Sequence, residues 1–146
     1  MTSTKYPLNG TITDTSEHDA QVTVIQWASW HEARYPWLKW LHATINGAKL
    51  PYRKTRGGKR YSPEAIRLKA EGLKPGIADL FLPVPMDGYC GLWLELKVGT
   101  NKPTDEQREF IADMNAQGYL AMATWGSKYT IACIATYMHI PQEEWW

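Results

Sequence analysis

The residues best suited to chemistry lie in two apolar runs of the sequence. Glu95 and Lys97 stand two positions apart in W-L-E-L-K (93 to 97), and Asp79 interrupts I-A-D-L-F-L (77 to 82). Carboxylates brought close together repel each other unless a cation lies between them or one of them is protonated. Carboxylate oxygens are also the ligands that Mg²⁺ and Mn²⁺ prefer. The three residues therefore predict a divalent-cation site, beside which Lys97 would orient a water or steady charge developing on a phosphate.

The strand pattern around these residues predicts how they are presented. Residues 77 to 82 and 91 to 98 each have the pattern of a strand, and two prolines and a D-G pair in the connection predict an antiparallel hairpin. Alternate side chains of a strand share a face. Glu95 and Lys97 would therefore share one face, with the intervening leucines in the core. The hairpin would bring Asp79 towards Glu95.

A first helix adds a third carboxylate. Ser16 and Asp19 form a capping-box pattern, which predicts a helix that begins there and ends at about Trp30. The apolar side of its helical projection holds Ala20, Val24, Trp27 and Ala28. Glu17 projects into the middle of that side, and we expect it to join the same site.

A second capping-box pattern predicts the helix that follows the charged strand. Thr104 and Gln107 open it, and Gly118 ends it. We expect it to bury Phe110, Ile111 and Met114. A strand over 119 to 124 and a last helix over 126 to 138 follow. Because a helix then joins two neighbouring strands, the connection is expected to be parallel and right-handed. The order of elements predicts a mixed α/β sheet with helices on its faces.

The middle of the chain has weaker patterns. Residues 37 to 45 predict a strand that ends at the turn signal Asn46-Gly47. Residues 47 to 61 are polar, basic and glycine-containing, which is typical of a mobile loop. A short helix is expected to begin at Ser62-Pro63, where proline occupies the first helical position, and to end near Gly72.

Basic residues are concentrated in this middle segment. Residues 49 to 74 hold nine Lys or Arg and two acidic residues, whereas the other residues hold seven basic and thirteen acidic ones. A basic block on a slightly acidic body is typical of a polyanion-binding edge, and a solvated loop and helix face is the alternative. The candidate phosphate contacts are Lys49, Arg53, Lys54, Arg56, Lys59, Arg60, Arg67, Lys69 and Lys74.

Length and composition predict one folded domain. The chain has 146 residues, of which 44% are hydrophobic, and this argues against disorder. We expect a flexible leader over 1 to 15 and a single domain over 16 to 146. Cys90 and Cys133 form no C-x-x-C pattern and suit free thiols. The apolar stretches are far shorter than the roughly 20 residues that a membrane helix needs. We therefore expect a soluble cytosolic protein with no membrane partner.

Each candidate residue also has a purely structural interpretation. Asp79 would accept hydrogen bonds from loop amides, and Glu95 with Lys97 would form a surface ion pair of little energetic worth. Glu17 would complement the dipole of its helix, and Gln107 would serve as a cap alone. The joint occurrence of these residues around one predicted hairpin favours a shared site.

The same residues resemble a known family. G-I-A-D (76 to 79), L-E-L-K (94 to 97) and T-x-x-Q (104 to 107) resemble the motifs of the PD-(D/E)XK nuclease superfamily, and within it the virus-type replication-repair nuclease (VRR-NUC) domain. The likeness extends to S-E-H-D-A-Q (16 to 21), I-N-G (45 to 47) and the run from 67 to 83. It covers most of the chain, from about 16 to 138.

The resemblance implies a restriction-endonuclease-like, three-layer α/β/α fold and a metal-dependent phosphodiesterase acting on DNA. By the family pattern, Asp79, Glu95 and the backbone carbonyl of Leu96 bind Mg²⁺ or Mn²⁺, and Glu17 is an additional candidate ligand. Lys97 matches the catalytic lysine and Gln107 the motif glutamine. The family usually has proline before the aspartate, where this chain has Ala78. We expect this departure to affect only backbone rigidity.

The resemblance also implies a biological setting. Small stand-alone members of the family are thought to act as homodimers on branched DNA such as four-way (Holliday) junctions, as DNA repair enzymes of bacterial or phage-infected cells. Two alternatives stay open beside this hypothesis. One is a catalytically weak DNA-binding or scaffold protein of the same fold, and the other is a hydrolase of small phosphate esters.

Overall fold

A computed structural model describes residues 14–45 and 53–146 of the chain. Within these residues the helices are α1 (Glu17–His31), α2 (Pro63–Ala70), α3 (Asp105–Ala116) and α4 (Ser127–Tyr137). The strands are β1 (His42–Ala43), β2 (Arg53–Lys54), β3 (Arg60–Tyr61), β4 (Leu80–Leu82), β5 (Leu92–Lys97) and β6 (Leu120–Trp125). Turns of 3₁₀ helix cover Pro36–Trp40 and Gln142–Glu144.

The main sheet of the described residues has the strand order β1-β4-β5-β6. The strand β4 pairs antiparallel with both β1 and β5, with Leu80 opposite Leu94. The strand β6 pairs parallel with β5, with Leu92 opposite Leu120. The predicted antiparallel hairpin and the predicted parallel connection through α3 are therefore both confirmed.

Helices cover the two faces of this sheet. On one face α1 and α4 contact each other, and both contact β5. The leucine side chains of β4 and β5 pack there into one core, and full burial of such a side chain stabilises the fold by about 1.5–3 kcal/mol. On the other face α3 lies over β5 and β6, where the Phe110 ring contacts Trp93 edge-on at 5.0 Å between centroids. The three-layer α/β/α fold is confirmed.

Local sequence signals explain where the helices begin. The Ser16 side chain accepts a hydrogen bond from the Asp19 amide at the start of α1. The buried residues of that helix are those that the projection predicted: Ala20, Val24, Trp27 and Ala28. The Thr104–Gln107 capping box has both of its reciprocal hydrogen bonds. The apolar side chains of α3 that were predicted to be buried, Phe110, Ile111 and Met114, are only half-buried, because α3 is an outer layer with one side open to solvent.

The predicted strand over 37 to 45 is wrong in its first half. Residues Pro36–Trp40 form a 3₁₀ turn, and only His42–Ala43 pair with β4. Proline fixes a backbone angle suited to the first turn of a helix. Leu38 is buried and its aromatic neighbours Trp37 and Trp40 are exposed, so the residues follow a helical rather than a strand period.

The predicted loop over 47 to 61 is partly a two-stranded ribbon. Its first residues lie outside the described part of the chain, and β2 and β3 then pair antiparallel. Gly58 has a φ of +77° in the connecting turn, a value that favours glycine. The predicted helix after it is confirmed as α2, with Ser62 as N-cap and Pro63 in its first turn.

The predicted leader ends in residues that contact the domain. Both carboxylate oxygens of Asp14 bind Ser127, one accepting from its amide at 2.6 Å and the other from its hydroxyl at 2.8 Å. Asp14 therefore caps the start of α4. Residues 1–13 lie outside the described part of the chain. Across the described residues, no helix combines the length and the apolar character needed to cross a membrane.

Candidate active site

Alternation along β5 sorts its side chains between two environments. Leu94 and Leu96 are fully buried, and Glu95 and Lys97, which project to the opposite face, are only 1% and 6% exposed. Burial of a charged group costs free energy unless a partner compensates it. The sequence predicted the alternation, whereas the deep burial of the charged pair comes from α3, which covers that face.

Glu95 has one satisfied and one unsatisfied carboxylate oxygen. Its Oε1 atom lies 2.8 Å from the Lys97 Nζ atom and accepts a hydrogen bond from Gln107 Nε2 at 2.5 Å. Its Oε2 atom is buried and has no hydrogen-bond partner among the described residues. Burial raises the pKa of Glu95 to about 7, Lys97 lowers it, and the charge of Asp79 raises it further. A buried oxygen of this kind is where a cation would be accommodated.

Gln107 combines two roles that the sequence presented as alternatives. Its side-chain carbonyl accepts the Thr104 amide at 2.8 Å and closes the capping box. Its side-chain amide donates to Glu95. One side chain therefore joins the start of α3 to the buried carboxylate.

Asp79 lies at the end of β4, next to Glu95. Continuing the register from Leu80 and Leu94 places Asp79 opposite Glu95 on the same face of the sheet. Its Oδ2 atom accepts the Leu96 amide at 2.8 Å, in place of a further ladder bond. In this position the charge of Asp79 raises the pKa of Glu95. The structure thus brings together the two acidic residues that the hairpin was predicted to join.

The backbone before Asp79 is held without the proline of the family pattern. Thr44 donates its amide to the Asp79 carbonyl at 2.9 Å and its hydroxyl to the Ala78 carbonyl at 2.5 Å. Ala78 is itself buried. Because Thr44, directly after β1, supplies these bonds, the backbone of the aspartate is held by hydrogen bonds to the neighbouring segment of the same chain.

The carbonyl of Leu96 points to the edge where Asp79 lies. The carbonyls of Gly91 and Lys97 both accept amides from the side of β6. Successive carbonyls of a strand point to opposite edges. Leu96 therefore presents its carbonyl towards β4, beyond the last pair of the ladder at Leu94. This direction suits the ligand role that the resemblance implies for it.

Glu17 reaches the site from the first turn of α1. Its Oε1 atom lies 3.8 Å from the Lys97 Nζ atom and accepts a hydrogen bond from Asn101 Nδ2 at 3.2 Å. Burial lowers the pKa of Lys97, but the hydrogen bond to Glu95 and the charges of the surrounding carboxylates raise it above its ordinary value. Lys97 is therefore a protonated ammonium among three carboxylates. Asn101 was not among the predicted residues, because its polar loop has no local signal.

The protein supplies only some of the ligands that a hard divalent cation such as Mg²⁺ needs. Within the described residues, no group of three or more His, Cys, Asp and Glu side chains is close enough to hold a metal ion. Asp79 and Glu95 nevertheless lie opposite each other on the two inner strands, and the carbonyl of Leu96 is directed towards β4 beside them. Mg²⁺ is commonly bound through one or two carboxylates and keeps water or phosphate oxygens in its other positions. The unsatisfied Oε2 atom of Glu95 supports this fit.

The basic residues lie on exposed elements beside the domain. Arg53, Lys54, Arg56, Lys59 and Arg60 belong to the β2–β3 ribbon, and Arg67, Lys69 and Lys74 to α2 and the segment after it; all are exposed. Lys49 lies outside the described residues. Arg67 pairs with Glu71 at 3.6 Å. The β2–β3 ribbon is not part of the carboxylate cluster. Its role as a DNA contact stays a prediction.

The chain just after the basic segment packs against Glu106, the residue before Gln107. Gly76 has a φ of +84°, and a Cβ atom added to it would lie 2.7 Å from the backbone of Glu106. Only glycine fits this close approach. The chain that leads from Lys74 to Asp79 therefore passes directly against the start of α3.

The fold of the chain is shared with a solved structure. The structure is similar to that of a protein described as "VRR_NUC domain protein", with a TM-score of 0.68 and 23% sequence identity, over 88% of this chain and 93% of that one. No family model and no curated protein matches the sequence. The resemblance predicted from the motifs is thus confirmed at the level of the fold.

Proposed function

We propose that the chain is a divalent-metal-dependent endonuclease that hydrolyses DNA phosphodiester bonds. The observation that carries the proposal is the ion pair of Lys97 and Glu95, buried at 2.8 Å beside Asp79, with one carboxylate oxygen left unsatisfied. A buried charge cluster of this kind costs stability. It is explained by a site in which a cation and a phosphate complete the charges, on a fold shared with a VRR_NUC domain protein.

The residues divide the work of such a site. Asp79, Glu95 and the Leu96 carbonyl would hold Mg²⁺ or Mn²⁺, with Glu17 as a further ligand or as the partner of Lys97. When bound there, the ion would polarise a phosphate oxygen and lower the pKa of a water molecule. Lys97 stays protonated and offers its ammonium to the charge that develops on the phosphate. Gln107 holds one oxygen of Glu95 and leaves the other available.

Basic residues outside the cluster would hold the DNA. Among the described residues, the exposed ribbon, α2 and the segment after it present eight of the nine candidate cations. Contacts to phosphates position the backbone without reading bases, which suits selection of a branched shape such as a four-way junction. Binding would weaken steeply with salt. A two-fold homodimer would present two such sites to one junction, which suits paired incisions. The setting would be the cytoplasm of a bacterial or phage-infected cell.

A catalytically weak DNA-binding or scaffold protein is the alternative. The direct contact between Lys97 and Glu95 favours it, because the ammonium already compensates one carboxylate. The described residues also hold no group of three acidic, histidine or cysteine side chains at metal-binding distance. This alternative keeps the fold and the basic surface and removes only the chemistry.

Cleavage of a labelled four-way junction separates the two functions. We expect cutting with Mg²⁺ or Mn²⁺, no cutting with EDTA, and loss of cutting in Asp79→Ala and Lys97→Ala. Matched controls are Asp113→Ala and Lys39→Ala, which remove an exposed carboxylate and an exposed ammonium outside the site. Cutting that persists in EDTA or in the two site variants would rule out the proposed mechanism. Binding without any cutting would establish the alternative.

A further inference from the structure

An exposed tryptophan stands beside the charged cluster. Trp125 is the last residue of β6, and its register partner in the parallel pair is Lys97. Paired residues of neighbouring strands project to the same face, roughly 5 Å apart at the backbone. Trp125 is 43% exposed. Its ring therefore flanks the cluster on the side away from Asp79.

The polar edge of this ring is already bound within the protein. Trp125 Nε1 donates to the Asn101 carbonyl at 2.8 Å. The Asn101 side chain in turn donates to Glu17, which lies 3.8 Å from the Lys97 Nζ atom. An indole has a single hydrogen-bonding group. The exposed part of Trp125 is therefore aromatic surface, held in a fixed position relative to the catalytic lysine.

A flat aromatic surface next to a phosphate site suits one class of ligand. Every nucleobase has a π-face, so stacking on an aromatic side chain is favourable whatever the base sequence. In a continuous duplex both faces of each base are already stacked on neighbours. An unpaired or unstacked base, as at a flap, a bulge or an open branch point, has a face available.

We propose that Trp125 is a stacking platform for an unpaired nucleobase next to the phosphodiester that Lys97 contacts. The inference rests on the proposed nuclease function and narrows its substrate to DNA with an unstacked base beside the cut. It assigns Trp125 a role in substrate choice, and Asn101 a role in positioning it. The fixed ring beside Lys97 is the observation that carries the inference.

Other exposed tryptophans supply a matched control. Trp37 is 60% exposed and lines a groove with Pro83 and Met86, which follow the carboxyl end of β4. Asp79 precedes the opposite end of the same strand. Trp37→Ala therefore removes a comparable exposed ring away from the charged cluster.

The test measures DNA binding in EDTA, so that cutting does not enter. Three labelled DNAs are compared by fluorescence anisotropy: a continuous duplex, a fully paired four-way junction, and the same junction with unpaired thymines at the branch. We expect Trp125→Ala to raise the Kd for the junction with unpaired thymines about tenfold, and the Kd for the duplex less than about twofold. Trp125→Phe should keep most of the affinity, and Trp37→Ala should match the wild type.

Two results would overturn the platform. One is an equal loss of affinity for all three DNAs in Trp125→Ala, and the other is an unchanged Kd for the junction with thymines. If Trp125→Ala loses its fold by circular dichroism, Trp125→Leu replaces it, because leucine keeps apolar volume without an aromatic face. A wild-type protein that binds none of the DNAs would refute the proposed function as well. Wild-type binding that Trp125 variants leave intact would refute the platform alone.

Discussion

From Leu94 to Lys97 both faces of β5 are buried, but the side chains on the two faces differ in their chemistry. Leu92 and Leu94 pack into the apolar core, and burial there stabilises the fold. Glu95 and Lys97 are buried against each other, with an unsatisfied oxygen and a carboxyl pKa raised to about 7. Burial alone therefore does not distinguish residues that hold the protein together from residues that act. The distinction comes from whether each buried group is satisfied by its surroundings.

The comparison predicts that the charged face is needed for activity and not for stability. Lys97→Met keeps the aliphatic volume of the side chain and removes its charge. We expect a loss of cleavage rate of at least about 100-fold, the typical effect of deleting one group that stabilises transition-state charge. We expect a folded protein at pH 6, because the Glu95 carboxyl, whose pKa is raised to about 7 even with Lys97 lowering it, then takes up a proton and leaves no uncompensated buried charge. Single-turnover cleavage of a labelled junction measures the cleavage rate, and urea unfolding measures the stability of the fold.

The control for this variant is Lys39→Met, an exposed lysine outside the cluster. A Lys97→Met protein that cuts at the wild-type rate would show that the charged face of β5 is not needed for cleavage. An unfolded Lys97→Met protein would show instead that the ion pair is structural.

The apolar face should behave in the opposite way. Leu94→Ala removes a fully buried side chain from the core. We expect the free energy of unfolding to fall by about 2–5 kcal/mol, the range for leucine-to-alanine changes in cores. Val22→Ala, on the exposed side of α1, should change it by less than about 0.5 kcal/mol. Equal effects of the two variants in urea unfolding would contradict the core placement of Leu94.

The unsatisfied carboxyl predicts how stability depends on pH. The folded pKa of Glu95, about 7, is above its ordinary value of 4.5, so the folded state holds its proton more tightly than the unfolded state. Between these values, rising pH lowers the stability of the metal-free protein, and above about 7 this contribution is constant. Glu95→Gln should remove this part of the pH dependence.

Urea unfolding at pH 5 and pH 8 in EDTA measures the effect in both proteins. The wild type should lose more stability between the two pH values than Glu95→Gln does. The same pH dependence of stability in both proteins would show that folding does not raise the pKa of Glu95.

The smallest expected effect concerns the loop that holds Glu17. Asn101→Ala removes the hydrogen bond to Glu17 and keeps the backbone carbonyl that Trp125 uses. One exposed hydrogen bond contributes about 0.5–1.5 kcal/mol, so we expect cleavage to slow about three- to tenfold with little change in stability. Thr100→Ala, in the same exposed loop, is the control. An unchanged cleavage rate in Asn101→Ala would show that Asn101 does not position Glu17 for cleavage.

The elements that position the site were predictable because their signals are local. The alternation in W-L-E-L-K, the D-G pair of the hairpin and the Thr104–Gln107 cap each lie within a few neighbouring residues. The 3₁₀ turn at Pro36–Trp40 was missed, since spaced tryptophans in a short apolar stretch fit a strand as well as a helical turn.

The contacts that complete the site were not predictable in the same way. Asn101 meets Glu17 across 84 positions of sequence, and neither residue type indicates the other. The burial of Glu95 and Lys97 depends on how closely α3 covers the sheet, which is a property of packing rather than of pattern. The register of β6, which places Trp125 beside Lys97, is likewise set by long-range pairing.

The double use of Gln107 couples the start of a helix to the surroundings of a buried carboxylate. Its carbonyl begins a helix and its amide holds a buried carboxylate. A substitution at this position would therefore disturb the start of α3 and the surroundings of Glu95 together, so its effects on helix stability and on the carboxylate could not be separated by that substitution alone.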